Sequence, residues 1–229
     1  MADMCVEQFA QEKLFHFQDI RTREQLSVKI PQVLDPSYGM YVWPCSPVLA
    51  QYIWFHRSKV KNKSVLELGA GTALPGLVAA LCGAADVTLS DNSEFSNCLE
   101  NCAKSRDANG AKNVHIVGIT WGQFSPSLLQ LKQVDIVLAS DCFYDTKDFE
   151  DVIVTMSFLM ERNPEAEIWC TYQERSADRS IEHLLQRWQL ECTHIPLGTF
   201  EADSPDIGQS GLPGNHTIHM LILKKTKPG

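Results

Sequence analysis

The chain reads as an α/β protein built on an open, mostly parallel sheet, with helices on both faces and an antiparallel strand at the C-terminal end. Between residues 64 and 188, apolar runs of strand length alternate with segments of helical period. The connections are long enough for crossover helices, which impose parallel order with a right-handed sense. After Gln189 the alternation stops. Cys192 to Ile195 and Thr217 to Leu223 are separated only by a Gly-, Pro- and Asp-rich loop, Gly198 to Asn215. With no crossover helix available, these two segments are expected to pair antiparallel. A loop of that length is expected to cover a site.

Taken in order, the first forty residues carry Phe9, Leu14, Phe15 and Phe17, then the alternating Leu26, Val28 and Ile30, then the turn Asp35-Pro36-Ser37-Tyr38-Gly39. This predicts a strand or hairpin laid against the rest, so residues 1–229 read as a single domain with an N-terminal extension over 1–40. Pro44 and Pro47 stand at the entrance of a helix running to His56. Ser64 to Leu68 reads as a strand, Leu74 to Cys82 as a helix closed by Gly83, and Asp86 to Ser90 as a strand ending at Asp91. Asp91-Asn92-Ser93 should cap a helix from Glu94 to Asp107, stopped by Asn109-Gly110. Val114 to Val117 and Val134 to Ala139 are the next strands. A helix from Lys147 to Arg162 ends at Asn163-Pro164, Glu167 to Tyr172 is the fifth strand, and Ile181 to Trp188 is helical.

Composition narrows the function. Twenty basic against 28 acidic side chains give 229 residues a net charge of −8, which disfavours sequence-independent binding to nucleic acid or anionic membrane and suits a basic protein partner. Asp3, Glu7, Glu12, Lys13 and Asp19 interrupt any signal-like apolar run, and no stretch has membrane-spanning character. A soluble, intracellular monomer is expected. The eight cysteines lack Cys-x-x-Cys spacing, and neither they nor the seven histidines form a ligand pattern. The thiols read as reduced core residues, Cys98 and Cys102 packing on one helical face, and no metal is expected.

The most informative stretch is Val65-Leu66-Glu67-Leu68-Gly69-Ala70-Gly71-Thr72-Ala73-Leu74-Pro75-Gly76, an apolar strand delivering an acidic residue and a Gly-x-Gly turn to a helix. Such a turn receives a nucleoside at the carboxyl end of the strand. A phosphate-binding P-loop would need Gly-Lys-Ser/Thr, which Gly76-Leu77-Val78 does not supply. A dinucleotide fingerprint needs a third glycine where Leu74 stands, although Asp91 lies about twenty residues beyond the turn as that fold requires. The third reading is S-adenosylmethionine: Glu67 and Asp91 suit a ligand with an amino-acid end and a ribose but no phosphates. Asp91 offers two acceptors to ribose hydroxyls, and Gly69 and Gly71 permit close backbone approach.

Further along, Leu138-Ala139-Ser140-Asp141-Cys142-Phe143-Tyr144 closes the fourth strand on the same sheet edge. Together with Trp43-Pro44, Glu67-x-Gly69-Ala70-Gly71, Asp91 and Trp121, it resembles the seven-strand family 16 S-adenosylmethionine-dependent protein methyltransferases. Asp141 to Tyr144 looks like that family's Asp-x-x-Tyr hallmark, and the resemblance runs from Met40 to Leu223. Tyr41-Val42-Trp43-Pro44-Cys45, Thr171-Tyr172-Gln173-x-Arg175-Ser176-Ala177-Asp178 and Leu212-Pro213-Gly214-x-His216-Thr217 resemble one branch of it segment by segment. The resemblance implies a Rossmann-like seven-strand methyltransferase sheet. It implies S-adenosyl-L-methionine as cofactor, S-adenosyl-L-homocysteine as product, and cofactor contacts at Trp43, Glu67, Gly69, Ala70, Gly71, Asp91, Trp121 and Ala139. It also implies a protein substrate: lysine for many members, arginine on a basic histone H3 tail for that branch, with activity in nucleus and cytoplasm. The two-glutamate hairpin of the main arginine methyltransferase family is absent, so lysine on a non-histone protein stays open. A catalytically silent binding module and a nicotinamide oxidoreductase are the readings from other classes.

Methyl transfer from a sulfonium needs an in-line nucleophile, a dry site and stabilisation of shifting charge. By position, Asp141 and Glu174 are the candidate carboxylates for orienting a cationic substrate, with Asp145 beside them. Tyr144 or Phe143 is a candidate wall of the substrate channel through cation–π contact.

Overall fold

The computed structural model describes residues 10–33, 38–175, 180–211 and 217–226. The N-terminal segment is an antiparallel hairpin, β1 (Ala10–Asp19) and β2 (Glu24–Val33). Two helices follow, α1 (Cys45–Phe55) and α2 (Arg57–Val60). Then come β3 (Ser64–Leu68), α3 (Leu74–Leu81), β4 (Asp86–Asp91), α4 (Ser96–Ala108), β5 (Val114–Gly118) and the short α5 (Pro126–Leu129). The chain continues through β6 (Ile136–Ser140), α6 (Phe149–Arg162), β7 (Glu167–Gln173), α7 (Glu182–Arg187), β8 (Leu190–Ile195) and β9 (Ile218–Lys225).

Strands β3 to β9 form one seven-stranded sheet in the order β5-β4-β3-β6-β7-β9-β8. Neighbours from β5 to β7 are parallel, and β9 runs antiparallel to both β7 and β8, as the missing crossover helix required. The chain enters at β3, winds outward to β5, and returns to place β6 on the other side of β3. That reversal opens a crevice at the carboxyl ends of the strands, where ligands of such sheets bind.

Alternation along the strands builds two cores. Val65, Val87, Leu89, Leu138 and Trp169 face α1, α3 and the hairpin, whereas Leu66, Leu68, Val137, Ala139, Ile168 and Cys170 face α6 and α7. Helix α1 is buried around nearly its whole circumference because it lies between sheet and hairpin, with Phe15, Phe17, Val28 and Ile30 in the same core. Its first turn is tied to the sheet by the Thr171 hydroxyl, which donates to the Cys45 carbonyl at 3.0 Å. Arg57 fastens the hairpin turn by donating to Asp19 at 2.9 Å and to Glu24 through Nε at 2.8 Å while lying over the Trp54 ring.

Several sequence expectations shift. Helix α4 starts at Ser96 and has no side-chain N-cap; the Asp91 carboxylate instead accepts from the backbone N–H groups of Gly71 and Asn92. Helix α6 starts at Phe149, because Thr146–Asp148 forms a 3-10 turn capped by Asp145. Strand β8 begins two residues early, at Leu190. The long loop expected to cover a site has another job over its described part, 198–211: Phe200, Ala202 and Ile207 are buried in the α1 core. Phe200 meets Tyr52 edge-on, and Gly208 accepts from the His16 N–H of the hairpin. The Asp35-Pro36-Ser37 turn, Phe9, Cys5, Ser176 to Arg179 and Leu212 to His216 lie outside the described residues.

Candidate active site

The crevice at the β3/β6 reversal holds a cavity of about 1150 Å³, at the upper end of ordinary small-molecule pockets and large enough for a nucleoside cofactor plus a side chain. Its floor is the turn after β3. Gly69 and Gly71 have φ of +61° and +52°, and Ala73 at the entrance of α3 has +67°, so left-handed residues alternate through the turn. A Cβ on Gly69 would stand 2.8 Å from the Trp121 ring, and one on Gly71 would stand 3.2 Å from the Gly39 carbonyl oxygen. The bare backbone lets Trp121 and the 39–41 segment close on the turn from two sides. Asp91, at the end of β4, accepts from the Gly71 N–H at 2.8 Å, so its carboxylate is held against the glycine turn at the cavity edge. Burial pushes its carboxyl upward, and the Gly71 and Asn92 N–H groups pull the other way.

The opposite wall comes from the ends of β6 and β7. The backbone N–H of Asp141 donates to the Thr171 carbonyl at 2.8 Å, and the residue sits at φ +55°. The residue is only 8% exposed, and its carboxylate receives both arms of the Arg175 guanidinium, at 2.9 and 2.6 Å. Cys142 donates from Sγ to the Leu68 carbonyl, joining this turn to β3. Tyr144 is half-buried beside Trp121, ring centroids 6.4 Å apart, and burial pushes its phenol up to about 12. Trp43, 37% exposed and edge-on to Tyr41, lines the same cavity. Among the lining residues, Asp91, Asp141, Asp145, Asp148 and Asp151 outnumber Lys147 and Arg175, which gives the cavity a negative bias suited to a cation.

Of the residues proposed from sequence, Trp43, Gly69, Ala70, Gly71, Asp91, Trp121, Asp141 and Tyr144 meet in this cavity. Three do not. Glu67 is 0% exposed; it shares a sheet face with Val65 and turns into the α3 layer, where it accepts from the Gly76 N–H at 2.9 Å. Ala139 points into the α6 core, and its neighbour Ser140 lines the cavity. Glu174 pairs with His219 at 3.1 Å outside the lining. Conversely, sequence reading passed over Tyr41, Ser46, Asn92, Phe95 and Thr120, and assigned no partner to Asp141, which the structure pairs with Arg175. Strand parity could have found Arg175, since it falls on the side of Thr171 and Gln173, opposite to Glu174.

Comparison with known proteins agrees with this architecture. A family model described as lysine methyltransferase matches residues 22–187. The chain is 51% identical over 225 residues to the histone-arginine methyltransferase METTL23 of Xenopus laevis, covering 97% of this chain and 96% of that one. It is 53% identical over 188 residues to the protein of that name from Homo sapiens, covering 82% and 98%. It is 31% identical over 158 residues to the protein N-lysine methyltransferase METTL21A of Danio rerio, covering 67% and 70%. In fold it is similar to a SAM dependent methyltransferase from Aquifex aeolicus, with a TM-score of 0.53 at 12% identity, covering 82% of this chain and 93% of that one. It is also similar to the ribosomal protein L11 methylase from Lactobacillus delbrueckii subsp. bulgaricus, with a TM-score of 0.53 at 14% identity, covering 78% of each chain. The seven-stranded order, the glycine turn and the family match together place the chain: it belongs to methyltransferase family 16, the family described as lysine methyltransferase.

Proposed function

We propose that this chain transfers a methyl group from S-adenosyl-L-methionine to an arginine side chain of a histone, releasing S-adenosyl-L-homocysteine. The observation that carries the reading is one cavity in which the glycine turn and Asp91 face the Asp141–Tyr144 turn across Trp121. The chain is a protein methyltransferase, and arginine is favoured by relatives above 50% identity that carry the name histone-arginine methyltransferase, against 31% for the lysine-specific relative. A histone substrate implies activity in the nucleus.

The residues present fit the cofactor. Gly69, Ala70 and Gly71 line the cavity floor with nearly bare backbone, which suits its amino-acid end, and Asp91 retains lone pairs for ribose hydroxyls. Trp121, Trp43 and Ala70 supply apolar surface beside it. When bound, the cofactor supplies an electrophilic methyl on a sulfonium. The chain's own task is to position one nitrogen in line with that methyl. The Tyr144 phenol, with its elevated pKa, keeps its proton at neutral pH and serves as a hydrogen-bonding wall, not as a base. A guanidinium does not release a proton unaided. The nitrogen that would accept the methyl must give up a proton toward a carboxylate or water; Asp145 and Asp148 are lining carboxylates on this wall, beside Asp141, whose two oxygens are engaged by Arg175.

Calorimetric titration separates the function classes. Saturable binding of S-adenosylhomocysteine with no binding of NAD is expected. Failure to bind the former at millimolar concentration would sink the enzyme reading, and tight NAD binding would favour an oxidoreductase.

A further inference from the structure

Asp141 does not face the cavity alone. We propose that Arg175 is a positioning residue for methyl transfer, acting through Asp141 by clamping the Asp141–Tyr144 turn in the shape that receives the substrate nitrogen. This rests on the methyltransferase reading given above.

The two residues leave adjacent parallel strands at the same sheet edge, Asp141 directly after β6 and Arg175 two residues after β7. The contact is fork to fork, Nη1 to Oδ1 at 2.9 Å and Nη2 to Oδ2 at 2.6 Å, the geometry in which guanidinium and carboxylate bind most strongly and with the least rotational freedom. Nη1 also donates to the Gln173 carbonyl at 3.4 Å, so the fork is held from its own strand. The pair is largely withdrawn from water, with side-chain exposure of 7% for Asp141 and 28% for Arg175, so an isolated partner would be an uncompensated charge.

Asp141 also occupies the left-handed region at φ +55°, which aspartate tolerates better than most side chains but still at some cost. Two contacts enforce it here: its N–H on the Thr171 carbonyl and its carboxylate on Arg175. The same turn carries Cys142, anchored on Leu68, and Tyr144 against Trp121. Release of the carboxylate removes the restraint that ties the head of the turn to β7 through a side chain, whereas the glycine turn and Asp91, at the ends of β3 and β4, keep their own hydrogen bonds. Arg175 therefore bears on turnover and leaves cofactor affinity largely intact. Lysine cannot replace it, because a point charge reproduces the attraction without the fork.

The test measures kcat, KM for histone H3 and S-adenosylhomocysteine affinity for wild type, Arg175→Met, Arg175→Lys and the double variant Asp141→Asn/Arg175→Met. For Arg175→Met, kcat should fall about a hundredfold, the scale of a small misplacement of reacting groups, with nearly unchanged cofactor affinity. Arg175→Lys should recover only a small part of the loss. Guanidinium at sub-denaturing concentration should restore turnover to Arg175→Met, urea should not, and the double variant, lacking the receiving carboxylate, should not respond to either. Wild-type kcat in Arg175→Met would overturn the proposal. So would a loss that follows only the fraction of folded protein and that guanidinium leaves unchanged. Absence of methyl transfer by the wild type on any protein substrate would instead overturn the methyltransferase reading, and the proposal with it.

Discussion

Glu67→Gln offers a direct check on how the glycine turn is supported. Glu67 is completely buried between β3 and α3; Oε2 accepts from the Gly76 N–H and Oε1 has no hydrogen-bond partner among the described residues. Burial raises its carboxyl from 4.5 to about 8, the Gly76 N–H opposes the rise, and Asp91 adds to it. Between those two values the folded chain keeps a proton that the unfolded chain releases, so stability from this group falls as pH rises. The slope is about 1.4 kcal/mol per pH unit, with a ceiling of roughly 5 kcal/mol across the window. Glutamine keeps the shape and the acceptor for Gly76 but cannot ionise. Urea unfolding of both proteins, followed by tryptophan fluorescence at intervals from about pH 5 to pH 8, should show the variant gaining relative stability steadily with pH. Titrating groups remote from Glu67 are shared and cancel in the difference. A difference that does not change with pH would mean that Glu67 is ionised in the folded protein and that this account of its burial is wrong.

Gly71→Arg should weaken S-adenosylhomocysteine binding by more than about a hundredfold, near 2.7 kcal/mol, because a Cβ there already crowds the Gly39 carbonyl at positive φ; unchanged affinity by calorimetry would make the turn merely structural. Asp141→Ala should lower kcat on the order of a hundredfold while cofactor affinity changes little, and equal activity would remove Asp141 from the mechanism. Ala73→Gly should leave unfolding free energy within about 1 kcal/mol of wild type, since relief of a left-handed alanine at φ +67° offsets the loss of a fully buried methyl; a loss of several kcal/mol would contradict that balance.

The sheet was legible from sequence because it is written in local pattern. Strand-length apolar runs, crossover helices and the helix-free C-terminal connection each leave a periodic or compositional trace, and the strands fall where those traces place them. The side of the cavity carried by the glycine turn and Asp91 was legible for a related reason: topology brings glycines and an aspartate at strand ends to one crevice. The misplaced residues failed on side-chain direction. Glu67 and Ala139 lie on the right strands, but alternation turns one into the α3 layer and the other into the α6 core. Glu174 and Arg175 are consecutive, so one faces the cavity while its neighbour turns to His219. The loop from Gly198 to Asn215 was read as a cover because of its length; over its described part three scattered residues, Phe200, Ala202 and Ile207, anchor it in the core, and no periodic signal marks so sparse a contact.

The most direct measurement is of the product. Purified chain, S-adenosylmethionine carrying a heavy methyl group and histone H3 should yield, by mass spectrometry, heavy methyl on arginine, with none when S-adenosylmethionine is omitted and a strong reduction for Gly71→Arg. Heavy methyl confined to lysine would contradict the arginine assignment, and no labelled residue on any histone or lysate protein, from a chain that binds S-adenosylhomocysteine, would contradict the account's central claim.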